Sequence, residues 1–462
     1  MTTHAPNSLA ARDVAYALHG YTNPQAHEDK GPIVVTHGKG IYVYDDEGRE
    51  YIEGMAGLWC TSLGFSEKRL MDAAMRQFQI MPYMHNFAHR STQPAVEVCE
   101  RLVKMAPVPM SKAFLLNSGS EAIDTAIKMI WYYNNALGRR EKKKIISRKR
   151  AYHGMTVAGA SLTAIPLMQN DFDLPVSDRF LHTEAPSYYR NAKADESEEE
   201  FATRLANELD TLITEQGPDT VAAFVAEPVM GAGGVIVPPR TYYEKVQAVL
   251  AKYDILFVAD EVICGFGRTG NTWGSQTYSI RPDILTCAKQ LSSAYLPISA
   301  VLITEPIYQA FVSNANKHGV LGMGYTYGGH PVPAAVAVET LKIYEERDIF
   351  GHVRNVMGHF QDRLHALASH PLVGEARGVG LLGAVEIVAD KHTREPFAPS
   401  AKAAASIADR AFEHGLIVRG LPGDSVAFCP PLIIDDEQID VMFDRFAIAL
   451  DEAAEDLVQH AA

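Results

Sequence analysis

The chain has 462 residues, of which 47% are hydrophobic and 21% charged, and its formal net charge is −14. This length can form one large domain with a substantial core plus a smaller one, or two domains of similar size. The acidic balance argues against a nucleic-acid partner, which needs a basic face, and it suits a soluble cytoplasmic protein. The polar residues 1–13 lack the apolar segment of a signal peptide, and no apolar run approaches membrane-spanning length.

The cysteines are scattered along the chain and contain no C-x-x-C pair. They are Cys60, Cys99, Cys264, Cys287 and Cys429. An odd, widely spaced set of this kind is typical of a reducing compartment and carries no zinc signature. We therefore expect no bound metal and no disulfide framework.

The first part of the chain predicts peripheral structure. Residues 1–40 are rich in turn formers and predict an irregular arm that carries one large aromatic residue, Tyr21. Residues 40–52 alternate apolar and polar side chains around an Asp-Glu-Gly turn and so predict a β-hairpin. A helix is expected from about Ser66 to Ile80, because apolar residues recur there at helical spacing.

A predicted strand at residues 113–116 leads into a helix whose start has two interpretations. Ser118 and Glu121 have the spacing of a capping box. The same helix start suits a bound phosphate, because it offers free N–H groups and the positive end of the helix dipole. Taken by themselves, these residues favour an ordinary helix cap. Farther along, Tyr152 has a side chain that can stack on a ligand ring, although a single tyrosine more often belongs to the core.

Three later apolar strands each end at a polar side chain. They are residues 221–226 before Glu227, residues 255–259 before Asp260, and residues 284–288 before Lys289. Strands that alternate with helices form a mostly parallel sheet, so the three side chains should emerge at one edge. A lysine there, kept partly neutral by desolvation, can form a Schiff base with a carbonyl. A surface lysine is the ordinary alternative, but two carboxylates beside it are hard to explain by stability alone.

The remaining pattern predicts how the chain divides into domains. The glycine-rich residues 265–270 open no helix, which favours a turn over a phosphate loop. From about residue 330 the pattern becomes α+β, which indicates a second, smaller domain. The predicted bounds are 1–65 for the arm and part of the small domain, 66–330 for the large domain, and 331–462 for the C-terminal small domain.

Seven stretches in this order resemble the class III aminotransferases of pyridoxal-phosphate fold type I, and within them the ω-transaminases, or amine:pyruvate transaminases. The stretches are MAGLWC at 55–60, NSGSE at 117–121, YHG at 152–154, AEP with GAGG at 226–234, ADEVICGFGRTG at 259–270, the lysine segment at 284–293, and GYTYGGHP at 324–331. The resemblance implies an α/β fold like that of aspartate aminotransferase, whose smaller α+β domain combines N- and C-terminal segments. It also implies pyridoxal 5'-phosphate as cofactor and a homodimer with shared active sites, and it leaves a tetramer open.

The resemblance assigns cofactor roles to individual residues. Lys289 would hold the cofactor as a Schiff base and carry the transferred proton. Asp260 would keep the pyridine nitrogen protonated, so that the ring accepts electrons, and Tyr152 and Val262 would cover the two ring faces. The phosphate would be held by Ser118, Gly119 and Ser120 and, from a neighbouring subunit, by Thr326.

Three further positions bear on the cofactor site. Glu227 would be either a partner for Arg419 or a structural anchor near the cofactor, and the sequence leaves both roles open. Ile263 stands where many class III members carry glutamine, which weakens an analogy to ornithine- or γ-aminobutyrate-type enzymes. Gln290 stands where glycine is usual, and the sequence offers no physical reason for it.

The same resemblance predicts the substrate site. An apolar aromatic wall, suited to an amine without an α-carboxylate, would be formed by Tyr21, Trp59, Phe87 and Tyr152, with space left by Ala232. Arg419 would bind the carboxylate of a keto acid and swing away for an uncharged amine. Without the resemblance, a solvent-facing strand residue would be the favoured interpretation of Arg419.

The implied reaction is a ping-pong transamination. A primary amine (a diamine or polyamine, an ω-amino acid or an arylalkylamine) would leave as an aldehyde or ketone, and pyruvate would leave as alanine. The main alternative is an isomerase on the same fold, an aminomutase or amino-lactam racemase, which would use the same Lys289 and Asp260 without consuming pyruvate. A nicotinamide oxidoreductase would need a G-x-G-x-x-G turn after a first strand, and the sequence has none there.

Overall fold

A computed structural model describes residues 5–461 of the chain. Its strands are β1 (Val35–Lys39), β2 (Tyr42–Asp45), β3 (Glu50–Glu53), β4 (Lys112–Leu116), β5 (Lys144–Arg148), β6 (Phe180–Thr183), β7 (Val221–Ala226), β8 (Leu256–Asp260), β9 (Ile284–Cys287), β10 (Ser299–Ile303), β11 (Val373–Val379), β12 (Leu382–Ile387), β13 (Leu416–Ile417), β14 (Arg419–Leu421) and β15 (Ser425–Phe428).

Helices connect most of these strands. They are α1 (Leu9–Tyr16), α2 (Pro24–Lys30), α3 (Ala56–Trp59), α4 (Lys68–Ile80), α5 (Gln93–Met105), α6 (Gly119–Ala136), α7 (Val157–Leu162), α8 (Val176–Arg179), α9 (Tyr188–Asn191), α10 (Glu198–Gln216), α11 (Tyr242–Lys252), α12 (Gly274–Thr277), α13 (Glu305–His318), α14 (Pro331–Glu346), α15 (Ile349–Ala366), α16 (Ala403–Glu413) and α17 (Asp436–Ala461).

A seven-stranded sheet with the order β4-β10-β9-β8-β7-β5-β6 forms the centre of the fold. The neighbours from β9 to β6 are parallel. Strand β10 runs antiparallel to both β4 and β9. The predicted mostly parallel sheet is therefore confirmed, with β10 as the strand that reverses direction.

Both faces of this sheet are covered by helices. Neighbouring side chains of one strand pack against helices on opposite faces. Val225 and Val258 pack in the cluster that contains α6, whereas their neighbours Phe224 and Phe257 pack in the cluster that contains α10 and α11. Side chains of a strand point alternately to its two faces, so a strand buried on both sides reads as a continuous apolar run. The apolar residues 221–226 are such a run.

Two four-stranded sheets surround this centre. One has the order β1-β2-β3-β13 and the other β11-β12-β15-β14. Strand β13 pairs in parallel with β3, so a C-terminal strand completes the sheet of the predicted N-terminal hairpin. The predicted combination of N- and C-terminal segments is present, while the domain bounds 1–65, 66–330 and 331–462 stay a prediction.

The N-terminal arm differs from the irregular segment that the sequence predicts. It contains helices α1 and α2 and strand β1, and the side chains of Ser8 and Asn23 accept hydrogen bonds at the starts of the two helices. Neither helix has a buried residue, so the apolar periodicity that reveals most helices is missing. In the part of the chain described here, no helix is both long and apolar enough to cross a membrane.

Candidate active site

The carboxyl ends of three parallel strands meet at one edge of the central sheet. Glu227 follows β7, Asp260 ends β8, and Lys289 comes shortly after β9. All three residues line one cavity of about 280 Å³. Crevices at the carboxyl ends of strands are the usual ligand sites of open α/β sheets. The interpretation of Lys289 as an ordinary surface lysine is therefore wrong.

Lys289 begins the 3₁₀ turn Lys289–Ser292 and has a left-handed backbone with φ of 46°. Such a conformation is costly for a residue other than glycine and is concentrated at functional sites. Burial lowers the pKa of its amine, although the nearby carboxyl groups of Asp260 and Glu227 act in the opposite direction. A lowered pKa increases the neutral fraction of the amine, the form that attacks a carbonyl or accepts a proton.

Asp260 is fixed by contacts to both of its oxygens. His153 Nδ1 lies 2.8 Å from Asp260 Oδ2, and both side chains are buried. Oδ1 accepts hydrogen bonds from the backbone N–H of Val262 at 3.1 Å and from Thr286 Oγ1 at 3.3 Å. A carboxylate held in this way keeps one orientation in the cavity and can stabilise a cation there.

His153 is the main site residue that the sequence analysis misses. It stands in the Tyr-His-Gly stretch at 152–154, where the sequence assigns it no role. Its Nε2 is buried and has no hydrogen-bond partner among the described residues. The only signal in the sequence is its place directly after Tyr152, because its partner Asp260 lies 107 positions away.

Glu227 connects two loops at the cavity. Its Oε1 accepts a hydrogen bond from the backbone N–H of Tyr152 at 3.1 Å, and its Oε2 accepts one from that of Gly231 at 2.9 Å. Burial raises the pKa of the Glu227 carboxyl. Of the two roles left open by the sequence, these contacts support the structural anchor.

The start of α6 lies in the wall of the same cavity. Ser118 caps the helix through a 3.1 Å hydrogen bond from the Glu121 N–H, and Ser118, Gly119 and Ser120 all line the cavity. A Cβ on Gly119 would lie 3.1 Å from Val262 Cγ1, so this glycine allows the helix to approach residues 260–263. The first residues of this 18-residue helix lie in the cavity wall, and the free N–H groups of a helix start suit a bound anion.

The predicted substrate residues Tyr21 and Arg419 come together beside Tyr152. The Arg419 guanidinium lies 5.8 Å from the centre of the Tyr21 ring. Burial and a hydrogen bond with Tyr21 raise the pKa of the Tyr152 hydroxyl. Three residues separated by long stretches of chain therefore form one cluster at the cavity, with Tyr152 in the cavity wall itself.

Trp59 and Ala232 lie behind this wall. Trp59 is buried and packs in an apolar cluster with Ile263, which lines the cavity. Ala232 is half-buried in the turn after Gly231, where a Cβ on the glycine would lie 2.4 Å from the Ile263 side chain. Trp59 therefore borders the cavity through Ile263, and Ala232 directly follows the glycine that packs against the same side chain.

Phe87 and Thr326 lie outside the cavity and close to each other. Phe87 is 45% exposed, and its ring fills the space where a Cβ on Gly324 would lie. The backbone carbonyl of Thr326 accepts a 2.7 Å hydrogen bond from the hydroxyl of Tyr83. Within this chain Phe87 and Thr326 therefore lie in one region, and neither lines the cavity that Tyr152 borders.

The chain matches the family model of class III aminotransferases over residues 24–450. It is 47% identical to a chloroplastic γ-aminobutyrate transaminase of Solanum lycopersicum, covering 97% of this chain and 87% of that protein. It is also 47% identical to a vanillin aminotransferase of Capsicum annuum, covering 91% and 92%. This chain is a class III aminotransferase.

A solved structure agrees with this family and with fold type I. The omega transaminase of Pseudomonas jessenii in complex with PMP superposes with a TM-score of 0.96 at 53% identity, covering 97% of this chain and 99% of that chain. Class III aminotransferases use pyridoxal 5'-phosphate, so the predicted cofactor is confirmed.

The residues of this class III aminotransferase fit that cofactor. Lys289 offers an amine for the aldehyde, the fixed carboxylate of Asp260 suits the ring nitrogen, and the start of α6 suits the phosphate. Val262 and Tyr152 line the cavity, as expected of residues that cover a ring. These residues would hold the cofactor when it is bound.

Gln290, which stands where the family usually carries glycine, has a structural role. Gln290 is buried, and its Nε2 donates a 2.7 Å hydrogen bond to the backbone carbonyl of Ile263. The backbone carbonyl of Gln290 accepts a 2.6 Å hydrogen bond from the hydroxyl of Tyr344. Gln290 therefore fixes the turn after Asp260, so the two residues that depart from the family pattern contact each other.

Proposed function

We propose that this aminotransferase moves the amino group of a primary amine to pyruvate and releases an aldehyde or ketone and alanine. The proposal rests on the position of Arg419. Its guanidinium lies over the ring of Tyr21, and Tyr21 in turn contacts Tyr152. A guanidinium held on an aromatic face can pair with the carboxylate of a keto acid. In the other half-reaction it can stay on that ring while an uncharged amine occupies the cavity.

The chain's own residues provide binding, orientation and proton transfer. When bound, pyridoxal phosphate supplies an electron sink for the carbanion formed at the amine carbon. Lys289 would take the proton from that carbon and hold it on its amine for delivery to the cofactor, because burial lowers its pKa and increases its neutral fraction. Asp260 stays in place during this transfer because His153 and Thr286 contact its two oxygens.

The relatives support several classes of amine donor. By their names, one relative acts on γ-aminobutyrate, an ω-amino acid, and another on the aromatic aldehyde vanillin. We therefore keep ω-amino acids, including γ-aminobutyrate despite Ile263, and arylalkylamines as donors. Diamines and polyamines remain on the grounds of the family resemblance. The name omega transaminase of the solved neighbour agrees with this range.

We further propose that the functional unit is a homodimer in which Thr326 and Phe87 serve the site of the partner subunit. The support is their joint position outside the cavity that holds Lys289 of the same chain. Phe87 would then complete the aromatic wall across the interface, beside Tyr21 and Tyr152.

The test is a pair of half-reactions on the purified holoenzyme. We expect a donor amine to bleach the visible band of the bound cofactor, and pyruvate to restore the band with one alanine formed for each amine consumed. Recovery with another keto acid but not with pyruvate would overturn the assignment of the acceptor. A band that persists through turnover without pyruvate would favour the isomerase.

Arg419→Ala tests the residue that carries the proposal. Loss of the charge-assisted pair should raise the KM for pyruvate by about tenfold or more, while the half-reaction with an arylalkylamine stays unchanged. The matched control is Arg410→Ala, because Arg410 pairs with Asp456 on the exposed side of α16. Equal effects on both half-reactions would exclude a role for Arg419 specific to the keto acid.

A further inference from the structure

The N-terminal arm holds a cluster of three possible metal ligands away from the cofactor cavity. His19 Nε2 lies 2.7 Å from Asp13 Oδ2, and His27 Nε2 lies 3.1 Å from the same oxygen. The three ligand atoms all lie within 4.8 Å of one another. We propose that Asp13, His19 and His27 form a binding site for a divalent transition metal, of which Zn²⁺ is the probe of choice.

The distances suit such an ion. Zn²⁺ bonds to imidazole nitrogen and carboxylate oxygen at about 2.0–2.2 Å, which in a tetrahedral site separates the ligand atoms by roughly 3.4 Å. The separations between the Asp13 oxygen and the two nitrogens are 2.7 and 3.1 Å, so small side-chain movements make room for the ion. Imidazole and carboxylate ligands with one position left for water are a common zinc set, whereas Ca²⁺ and Mg²⁺ prefer oxygen ligands alone.

The two histidine side chains are already arranged to bind one metal ion together. Their rings lie 4.2 Å apart with a tilt of 33°, and both turn Nε2 toward the same carboxylate. His27 is 10% exposed at the side chain, Asp13 is 28% exposed and His19 is 37% exposed. Solvent metal can therefore reach the cluster, and His27 forms its buried side.

The two helices of the arm have little tertiary packing to hold them in place. Helices α1 and α2 have eight and seven residues and bury no side chain. Helices this short are marginal without tertiary packing. The ligands come from α1, from the connecting loop and from α2, so one ion would join all three parts. A metal that binds only the folded arm stabilises it by mass action.

The site also has a route to the active site. Tyr21 lies between His19 and His27 in the chain and has a left-handed backbone with φ of 54°. Its hydroxyl contacts Met168 Sδ at 4.0 Å, and its ring lies under Arg419. Metal binding would therefore fix the loop that places Tyr21 beside the cavity. The site does not depend on the proposed function, because metal binding is measured without transamination.

Calorimetric titration of the untagged holoenzyme with Zn²⁺ is the deciding experiment. The wild-type chain should take up one Zn²⁺ at this site. Asp13→Asn and His27→Gln should each weaken binding by at least about tenfold, because each removes one ligand. His37→Gln is the matched control, since His37 is an exposed histidine that stacks on Tyr44 outside the cluster.

Limited proteolysis supplies a second readout. Zn²⁺ should slow trypsin cleavage after Arg12 and Lys30 in the wild-type protein and in the His37→Gln variant, but not in His27→Gln. Zinc uptake that is unchanged in both Asp13→Asn and His27→Gln would overturn the site. Absence of uptake by the wild type in the micromolar range would show that the three residues form a hydrogen-bonded cluster only.

Discussion

Gln290 fixes the geometry of the cofactor site although it does not line the cavity. Its amide donates to the carbonyl of Ile263, in the turn that also carries Val262. A buried carbonyl that loses its donor costs about 1–3 kcal/mol, and the turn can shift to find another partner. A shift of this turn moves two residues of the cavity wall at once.

We therefore expect Gln290→Leu to reduce stability and to raise the KM for the amine. Gln361→Leu is the matched control, because Gln361 donates to the backbone carbonyls of Gly380 at 2.9 Å and Leu382 at 3.2 Å and does not line the cavity. The control should lose stability without a change in KM. Thermal unfolding and steady-state kinetics measure both effects, and equal KM values in the two variants would contradict a positioning role.

The buried carboxyl group of Glu53 should make the stability of the protein depend on pH. This carboxyl accepts a hydrogen bond from the Gly57 N–H, and burial raises its pKa to about 8 from 4.5. Between these two values the unfolded state loses its proton first, so stability falls as the pH rises and levels off above the folded pKa. One unit of pH in this window changes the free energy of unfolding by at most about 1.4 kcal/mol.

Glu53→Gln should remove this pH dependence, because glutamine keeps the acceptor oxygen but cannot ionise. We expect the drop in Tm between about pH 5.5 and pH 8.5 to be smaller in this variant than in the wild type. Exposed Glu437→Gln is the control and should follow the wild type. Parallel curves for all three proteins would assign the pH dependence to other groups.

At the scale of elements, two helix starts that look alike in sequence have different roles. Ser118 caps α6 in the cavity wall, and Ser197 caps α10 in a capping box with Glu200. The acidic residues 196–200 contain the start of α10. Only the first of the two caps borders the cavity.

Ser118→Ala and Ser197→Ala separate capping from cofactor binding. Each should reduce the free energy of unfolding by about 1 kcal/mol through loss of the cap. Only Ser118→Ala should also release the cofactor faster on dialysis, because Ser118 lines the cavity and would hold the phosphate there. Equal cofactor retention in the two variants would restrict Ser118 to a structural cap.

At the scale of the whole molecule, the proposed shared active site predicts complementation between two inactive chains. Lys289→Ala and Thr326→Glu should each be inactive alone. In a mixed dimer, one site combines Lys289 of one subunit with Thr326 of the other and is intact. Co-expression in equal amounts should therefore restore about a quarter of the wild-type activity, since half of the dimers hold one intact site of two.

The pair Lys289→Ala with Asp260→Asn is the control for this experiment. Both residues line the same cavity of one chain, so no mixed dimer contains an intact site. Activity restored in the first pair and absent in the second would support a site that takes Thr326 from the partner subunit.

The compartment of the protein also stays a prediction, because the acidic composition suits the cytoplasm whereas the tomato relative is chloroplastic by name.

The sequence by itself determined the parts that depend on neighbouring residues. Continuous apolar runs predicted strands buried on both faces, and the direction shared by parallel strands brought Glu227, Asp260 and Lys289 to one edge. The motifs around them were sufficient for the family and the cofactor. These features are local because they depend on side-chain periodicity and on which residue ends each strand.

Only the tertiary structure decided the contacts between distant segments. His153 meets Asp260 across 107 positions, and Gln290 reaches Ile263 across 27. Within one chain, Phe87 lies with Gly324 and does not line the cavity. No local pattern records such pairs, because they form only when helices and strands pack against one another. The two helices of the N-terminal arm are not predicted from the sequence for a different reason. They bury no side chain, so the sequence shows no apolar residues at helical spacing there.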